Sequence, residues 1–303
     1  MIIDIHTHIA FHKLYPSRYI EGMLLSEAGL QSAGVNTLVK AFMNDLNCSK
    51  MLKQMDAAGI DKAVLLIIDG GIGLGEAEMS IDEIYAAHYN VLSRHHERFI
   101  VFAGIDPRRG EYGFSLFKKG IEEYGFKGLK LYPPMGYAMD HEQLHPYYKF
   151  CKEKRLPVLL HTGPSLPFME NHWADVENIN SIAGLYPGVN FILAHAGCRI
   201  DKDIIQLLKK YANVYLDISG YQAIYAQDVE KAKKQLRLIF QSDLSLKVLF
   251  GSDWPLFNLV NSLKKNIEYI ESMERFSNDD DVFSSKALAM VMGGNAAKVL
   301  GLE

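Results

Sequence analysis

Short runs that are apolar throughout alternate along the chain with longer segments of helical period. The strand-like runs occupy residues 2–8, 63–68, 99–105, 128–132, 158–161, 191–195, 214–218 and 248–251. Runs such as AVLLII and FILA show no polar alternation, the signature of parallel strands covered on both faces. Between them, residues 80–96, 114–124, 147–154, 176–186 and 202–211 place apolar side chains three and four apart, as helices with one buried face do. Eight strand-then-helix units in a chain of 303 residues predict a closed (β/α)8 TIM barrel, a single α/β domain over residues 1–303.

Two stretches break the rhythm. Residues 9–47 are too long for an ordinary strand-to-helix loop and read as an insertion after strand one that caps the barrel mouth, with a short helix near residues 19–28. Residues 277–281 form a polar, acidic turn before a last helix ending in GGNAAKVLG. No linker divides the chain, and no repeat appears beyond the strand–helix period itself.

Composition limits the partners. Hydrophobic residues make up 49% and charged residues 22%, values of an ordinary globular protein. The net charge of −4 argues against nucleic acid or an anionic membrane as the main partner. The lysine-rich stretch KAKKQLR, from Lys231 to Arg237, reads as the wet face of a helix. Cys48, Cys151 and Cys198 contain no C-x-x-C pair, so neither a zinc ribbon nor a disulfide framework is expected, and a reducing cytoplasm suits them. No apolar run reaches the ~18 residues of a membrane span, and the opening MIIDIHTH enters strand pattern at once, which leaves no room for a signal peptide. The expectation is a cytoplasmic protein that acts on a small molecule, with a homo-oligomer left open.

The chemistry is positional. His6 and His8 lie two apart on a strand, so both side chains point to one face, which Asp4 shares at a deeper level. In a barrel, the C-terminal strand ends are where active sites are built. His161 ends another run (VLLH), His195 another (FILAH), and Asp253 follows the last (VLFGSD). One such histidine is commonly a hydrogen-bonded structural residue, and an isolated H-x-H pair arises by chance. Five such groups at four strand ends are harder to explain by packing, because each unpartnered buried polar group costs about 1–3 kcal/mol. A divalent cation is the simplest common partner.

The motifs IDIHTHI, GLKLYPP, LLHTG, FILAHAG, LFGSDWP and GGNAAKVLGL follow one another over nearly the whole chain. In this order they resemble the amidohydrolase superfamily, in particular its amidohydrolase 2 branch; residues 9–47 match nothing in it. The resemblance implies that His6, His8 and His161 bind one metal, usually zinc, with Asp253 completing the site. It implies His195 beside the metal-activated water as proton donor or electrostatic partner. Asp253 would take the water's proton and pass it to the leaving group. Some superfamily members carboxylate a lysine on the fourth strand to bridge two metals; the GLKLYP setting of Lys130 is closer to the single-metal branch, where such a lysine contacts substrate or supports the site from behind. Snorkelling from the rim is its bland alternative.

Other motifs are weaker. His141–Glu142–Gln143–Leu144–His145 spells the zincin signature, but Pro146 directly follows and marks a helix start rather than a helix interior. Gly71–Ile72–Gly73–Leu74–Gly75 lacks the spacing of a dinucleotide fingerprint and reads as a mobile loop. Gly163–Pro164–Ser165–Leu166–Pro167 misses the last glycine of a nucleophile elbow. Tyr132, Arg199, Tyr221 and Trp254 follow strand ends and are pocket candidates, with His172 and Trp173 in a loop that lines or covers the pocket. Lys130, Tyr132 and Arg199 would bind substrate, the two cations suiting a carboxylate; alternatively Arg199 pairs with Asp201 or Asp203. Three functions remain open: hydrolysis of an ester, lactone or amide, non-oxidative decarboxylation of a small cyclic or aromatic acid, and a barrel that binds without catalysis.

Overall fold

The computed structural model describes residues 1–28, 40–242, 244–273 and 283–302. Eight parallel strands follow one another in sequence order: β1 (Ile3–Thr7), β2 (Lys62–Leu66), β3 (Phe99–Gly104), β4 (Leu129–Leu131), β5 (Val158–Leu160), β6 (Phe191–Leu193), β7 (Val214–Asp217) and β8 (Val248–Leu249). The Ile5 amide donates to the Phe250 carbonyl at 2.9 Å, and Thr7 bridges to Trp254, so the ring closes between its first and last strands. The expected (β/α)8 barrel is what forms. The ladders are shorter than the apolar runs because the last residues of several runs, His8, His161 and His195 among them, leave the ladder at the mouth.

Helices form where caps and apolar spacing agree. Ser80 and Glu83 make a reciprocal capping box at the start of helix Ile81–Arg94, and Asp201 caps helix Lys202–Lys210. The exception is the segment expected to be helical over residues 176–186. Only a 3-10 stretch, Val176–Ser181, forms there. Asn178 and Asn180 donate to the carbonyls of His172 and Glu177, and Ser181 to that of Asn178, so side chains compete for the bonds a helix would use.

The insertion carries helix Ser17–Ala28, close to the expected position; its continuation through residues 29–39 and the acidic turn 277–281 lie outside the described residues. Gly71–Leu74 is a one-turn helix, not an open loop. A Cβ on Gly73 would stand 2.6 Å from the Met135 carbonyl oxygen, so this close approach admits only glycine. His141 accepts from the Gln143 amide ahead of a 3-10 turn, and His145 opens helix His145–Lys154 with Pro146 in its first turn. The zincin-like spacing therefore does not fall within one helix. Residues 231–237 lie on helix Val229–Gln241, with Ala232 and Leu236 buried. Among the described residues, no helix is long and apolar enough to cross a membrane.

Candidate active site

The C-terminal ends of β1, β5, β6, β7 and β8 converge on one cavity of about 350 Å³, lined among others by His6, His8, His161, His195, Ser219 and Asp253. His6 Nδ1 lies 2.8 Å from Asp217 Oδ2. A carboxylate only accepts, so Nδ1 carries the hydrogen and Nε2 presents its lone pair, 3.7 Å from Asp253 Oδ1. His8 Nδ1 donates to the Leu66 carbonyl at 2.9 Å, which leaves Nε2 facing Asp253 Oδ1 at 3.3 Å. Both imidazoles are thus held in one tautomer by a partner behind them, the arrangement that orients metal-binding histidines.

His195 and Asp253 are positioned by strained backbone. Their φ values are +58° and +52°, in the left-handed region, and Ala196 adds +47°. Such conformations cost about 1–3 kcal/mol each and persist where surrounding bonds fix them. Here the His195 amide donates to Asp217 Oδ1 at 2.9 Å, and the Asp253 amide donates to the His6 carbonyl at 2.8 Å.

Ser219 joins the two halves of the site. Its hydroxyl contacts Asp217 Oδ1, lies 2.8 Å from His195 Nδ1 and 3.2 Å from His6 Nδ1. With the Ser219 proton on Asp217, His195 Nδ1–H donates to Ser219 and Nε2 turns towards His161 Nδ1, 3.3 Å away. His161 stacks on Tyr132 with ring centroids 4.2 Å apart, and its Nε2 is buried with no protein partner.

Burial dominates the electrostatics. It lowers the pKa of His6, only partly opposed by Asp217, and pulls His195 down to about 4 and His161 well below the ordinary value. Burial alone would raise Asp217 and Asp253. The first is instead held below the usual carboxylate range by His6, and the second by the imidazoles around it, His8, His6 and His195. Asp4 lacks such partners: burial raises it to about 7, while its Oδ1 accepts from the amides of His6 and Ser252, tying β1 to the segment after β8. Lys130 is 1% exposed and its Nζ has no hydrogen-bond partner. Burial draws it down to about 8, with Asp217 and Asp253 pulling the other way. It is a buried group and not a snorkelling rim lysine.

Two groups bring one ligand atom from each residue within 4.8 Å of the others: His6, His8 and Asp253, and His6, His195 and Asp217. Asp217 already accepts from His6, His195 and Ser219, so the first group has the freer donors. Two inward imidazole nitrogens, an ionised carboxylate and the orphaned His161 Nε2 fit a divalent cation. The structure thus gathers His6, His8 and Asp253 and sets His161 beside His195, outside both groups.

Tyr132 and Tyr221 line the cavity. Arg199 does not: it is 45% exposed and pairs with Glu177 and, at 3.3 Å, with Asp201. Trp254 is buried with Nε1 donating to Gln54 at 2.8 Å, and Trp173 bonds Glu170; neither lines the cavity. Asp217 and Ser219 were missed in the sequence, although a carboxylate closing the run VYLD obeys the same positional rule as His6 and Asp253. Tyr19, from the helix expected over the mouth, and Leu256 and Phe257, from the segment after β8, also line the cavity.

By sequence, no curated protein matches this chain. Among solved structures, an uncharacterised TIM-barrel protein from Bordetella bronchiseptica is 19% identical with a TM-score of 0.69, over 99% of this chain and 98% of that one. The 5-carboxyvanillate decarboxylase from Sphingomonas paucimobilis is 14% identical with a TM-score of 0.64, over 99% and 98%. The 4-oxalomesaconate hydratase from Rhodopseudomonas palustris is 18% identical with a TM-score of 0.64, over 99% and 96%. At such identities these likenesses establish the fold. A family model described as amidohydrolase matches residues 3–302. The chain therefore belongs to the amidohydrolase family, in its amidohydrolase 2 branch, a family of metal-dependent enzymes.

Proposed function

We propose that this protein is a metal-dependent hydrolase that cleaves an ester, lactone or amide of a small carboxylate-bearing substrate. The observation that carries the reading is the convergence of His6, His8 and Asp253 in one cavity, with a ligand atom of each within 4.8 Å of the others. Asp253 is ionised and 3.3 Å from His8 Nε2, while His195 is neutral with its Nδ1–H committed to Ser219. Asp253 thus offers a carboxylate oxygen to a water that a bound cation has made more acidic. His6, His8 and Asp253, with His161 alongside, would hold one divalent ion, for which zinc suits the imidazole-rich set. When bound, the ion supplies a Lewis acid that polarises a carbonyl and makes water more acidic.

Asp253 accepts the water's proton on a carboxylate oxygen and returns it to the leaving group. His195, which lines the cavity beside His161, orients the reacting oxygen. Lys130 provides positive charge beneath the cavity, and Tyr132 contacts the substrate from the wall. The expected metal content is one ion per chain, read by elemental analysis; two ions would point to a carboxylated Lys130 instead.

Decarboxylation is the second reading, favoured by the apolar wall of Leu166, Ile224, Leu256 and Phe257, which suits release of a neutral CO2. A screen of lactones and cyclic acids in ¹⁸O-labelled water separates the two. Label in the product carboxyl supports hydrolysis, and CO2 release without label would sink it. A barrel that binds without catalysis predicts that Asp253→Asn changes nothing measurable.

A further inference from the structure

Helix Ser17–Ala28 of the insertion presents Tyr19, Gly22 and Met23 on one face, three and four residues apart. Tyr19 and Met23 line the cavity. Gly22 lets the helix sit close: a Cβ there would lie 2.7 Å from both Leu166 Cδ1 and Phe168 Cε1. Arg18 stacks over Phe168 at 4.7 Å and fastens the same contact. The Tyr19 hydroxyl is thereby carried to the Tyr132 hydroxyl at 3.3 Å, and the Tyr132 hydroxyl lies 2.9 Å from Ser165 Oγ. The three hydroxyls form a strip on a wall that is otherwise apolar.

We propose that Tyr19 is a specificity-determining residue: its hydroxyl, beside those of Tyr132 and Ser165, selects substrates with an uncharged hydroxyl or carbonyl oxygen facing the inserted helix and disfavours a second carboxylate there. This rests on the reading of the cavity as the substrate site. The O···O distance of 3.3 Å is long for a hydroxyl pair, so the Tyr19 proton is the one most readily turned to a ligand. Burial, followed by Tyr132 and Asp253, keeps this phenol protonated, so it is a donor at every physiological pH. Among the described residues lining the cavity there is no lysine or arginine to match a second negative charge, and Asp253 opposes one.

The test is titration calorimetry on the zinc-loaded full chain with three rigid probes: benzoate, 3-hydroxybenzoate and isophthalate. The expected order is 3-hydroxybenzoate about tenfold tighter than benzoate, with isophthalate weakest, since one hydrogen bond changes affinity by about this factor. In Tyr19→Phe the preference for 3-hydroxybenzoate over benzoate should fall to about twofold. Gly22→Val, which lifts the helix with the hydroxyl intact, should lose the preference as well. A preference retained in Tyr19→Phe, or isophthalate binding as tightly as 3-hydroxybenzoate, overturns the proposal. Failure of zinc to bind would sink the proposed metal site instead, and the same three probes on the metal-free chain would still decide the part of Tyr19.

Discussion

His6 on β1 and Asp217 on β7 meet at 2.8 Å, Nδ1 to Oδ2, across 211 residues of chain. The contact does more than tie strands together. It places the imidazole hydrogen on Nδ1 and so aims the Nε2 lone pair at the cavity. Asp217 also accepts the His195 amide and the Ser219 hydroxyl, so one carboxylate orients both imidazoles. Asp217→Asn preserves the size of the side chain and removes its charge. Zinc affinity, measured by competition with a chromophoric chelator, should fall about 10–100-fold, the usual effect of losing such a supporting carboxylate. Unchanged affinity would mean that the His6 tautomer is set elsewhere.

Acid should destabilise the metal-free protein at a pH well above the ordinary carboxylate range. Burial takes His88 and His195 from 6.5 to about 4. The unfolded chain therefore binds protons at these positions from about pH 6.5 downwards, while the folded chain does not. Each histidine thus removes stability as pH falls from about 6.5 to about 4, by about 1.4 kcal/mol per pH unit. Asp4 acts the other way. Raised from 3.8 to about 7, it keeps a proton that the unfolded chain has lost, so its contribution declines as pH rises through that range. It offsets one histidine, and the depressed His6 and His161 add to the other. Urea midpoints of the metal-free chain should fall steadily between about pH 6.5 and 4.5; a flat profile would contradict the assignment of these imidazoles as neutral.

What the sequence discloses and what it hides follow from the range of the forces involved. The barrel is legible because each strand run and each helical period is a local pattern, and eight of them leave little choice of topology. His6, His8, His161, His195 and Asp253 are legible because a strand end in a barrel is a spatial address. Asp217 has the same address yet was overlooked inside an apolar run. The pattern sets a helix near Tyr19 over the mouth, but where its hydroxyl falls depends on how Gly22 packs against Leu166 and Phe168, residues more than 140 positions away. The helix expected over residues 176–186 fails through asparagine side chains that capture neighbouring carbonyls, an effect periodicity does not report. Arg199 follows a strand end as Tyr132 does, but acidic residues outside the mouth claim it.

Arg199 therefore offers a control. Its guanidinium is paired with Glu177 and Asp201 on the surface, where such pairs contribute about 0–1 kcal/mol. Arg199→Ala should leave kcat/KM within about twofold and the unfolding midpoint nearly unchanged. A loss of more than tenfold in kcat/KM, with stability intact, would show that the side chain swings into the mouth when substrate binds.

Ligand and proton-handling roles are separable at His8 and His195. His8 Nε2 belongs to the group with His6 and Asp253, and its Nδ1 is fixed on the Leu66 carbonyl. His195 is held instead by Ser219 and stands next to His161. If His8 is a ligand, His8→Ala should lower zinc content and activity together, and excess zinc should restore part of both. If His195 orients the reacting oxygen, His195→Ala should keep about one zinc per chain while kcat falls about 10²–10⁴-fold, the range of a positioned acid–base group. Elemental analysis and steady-state kinetics on the same preparations read both quantities. Loss of zinc in His195→Ala would move this residue into the coordination sphere and favour the His6, His195 and Asp217 group as the cation site.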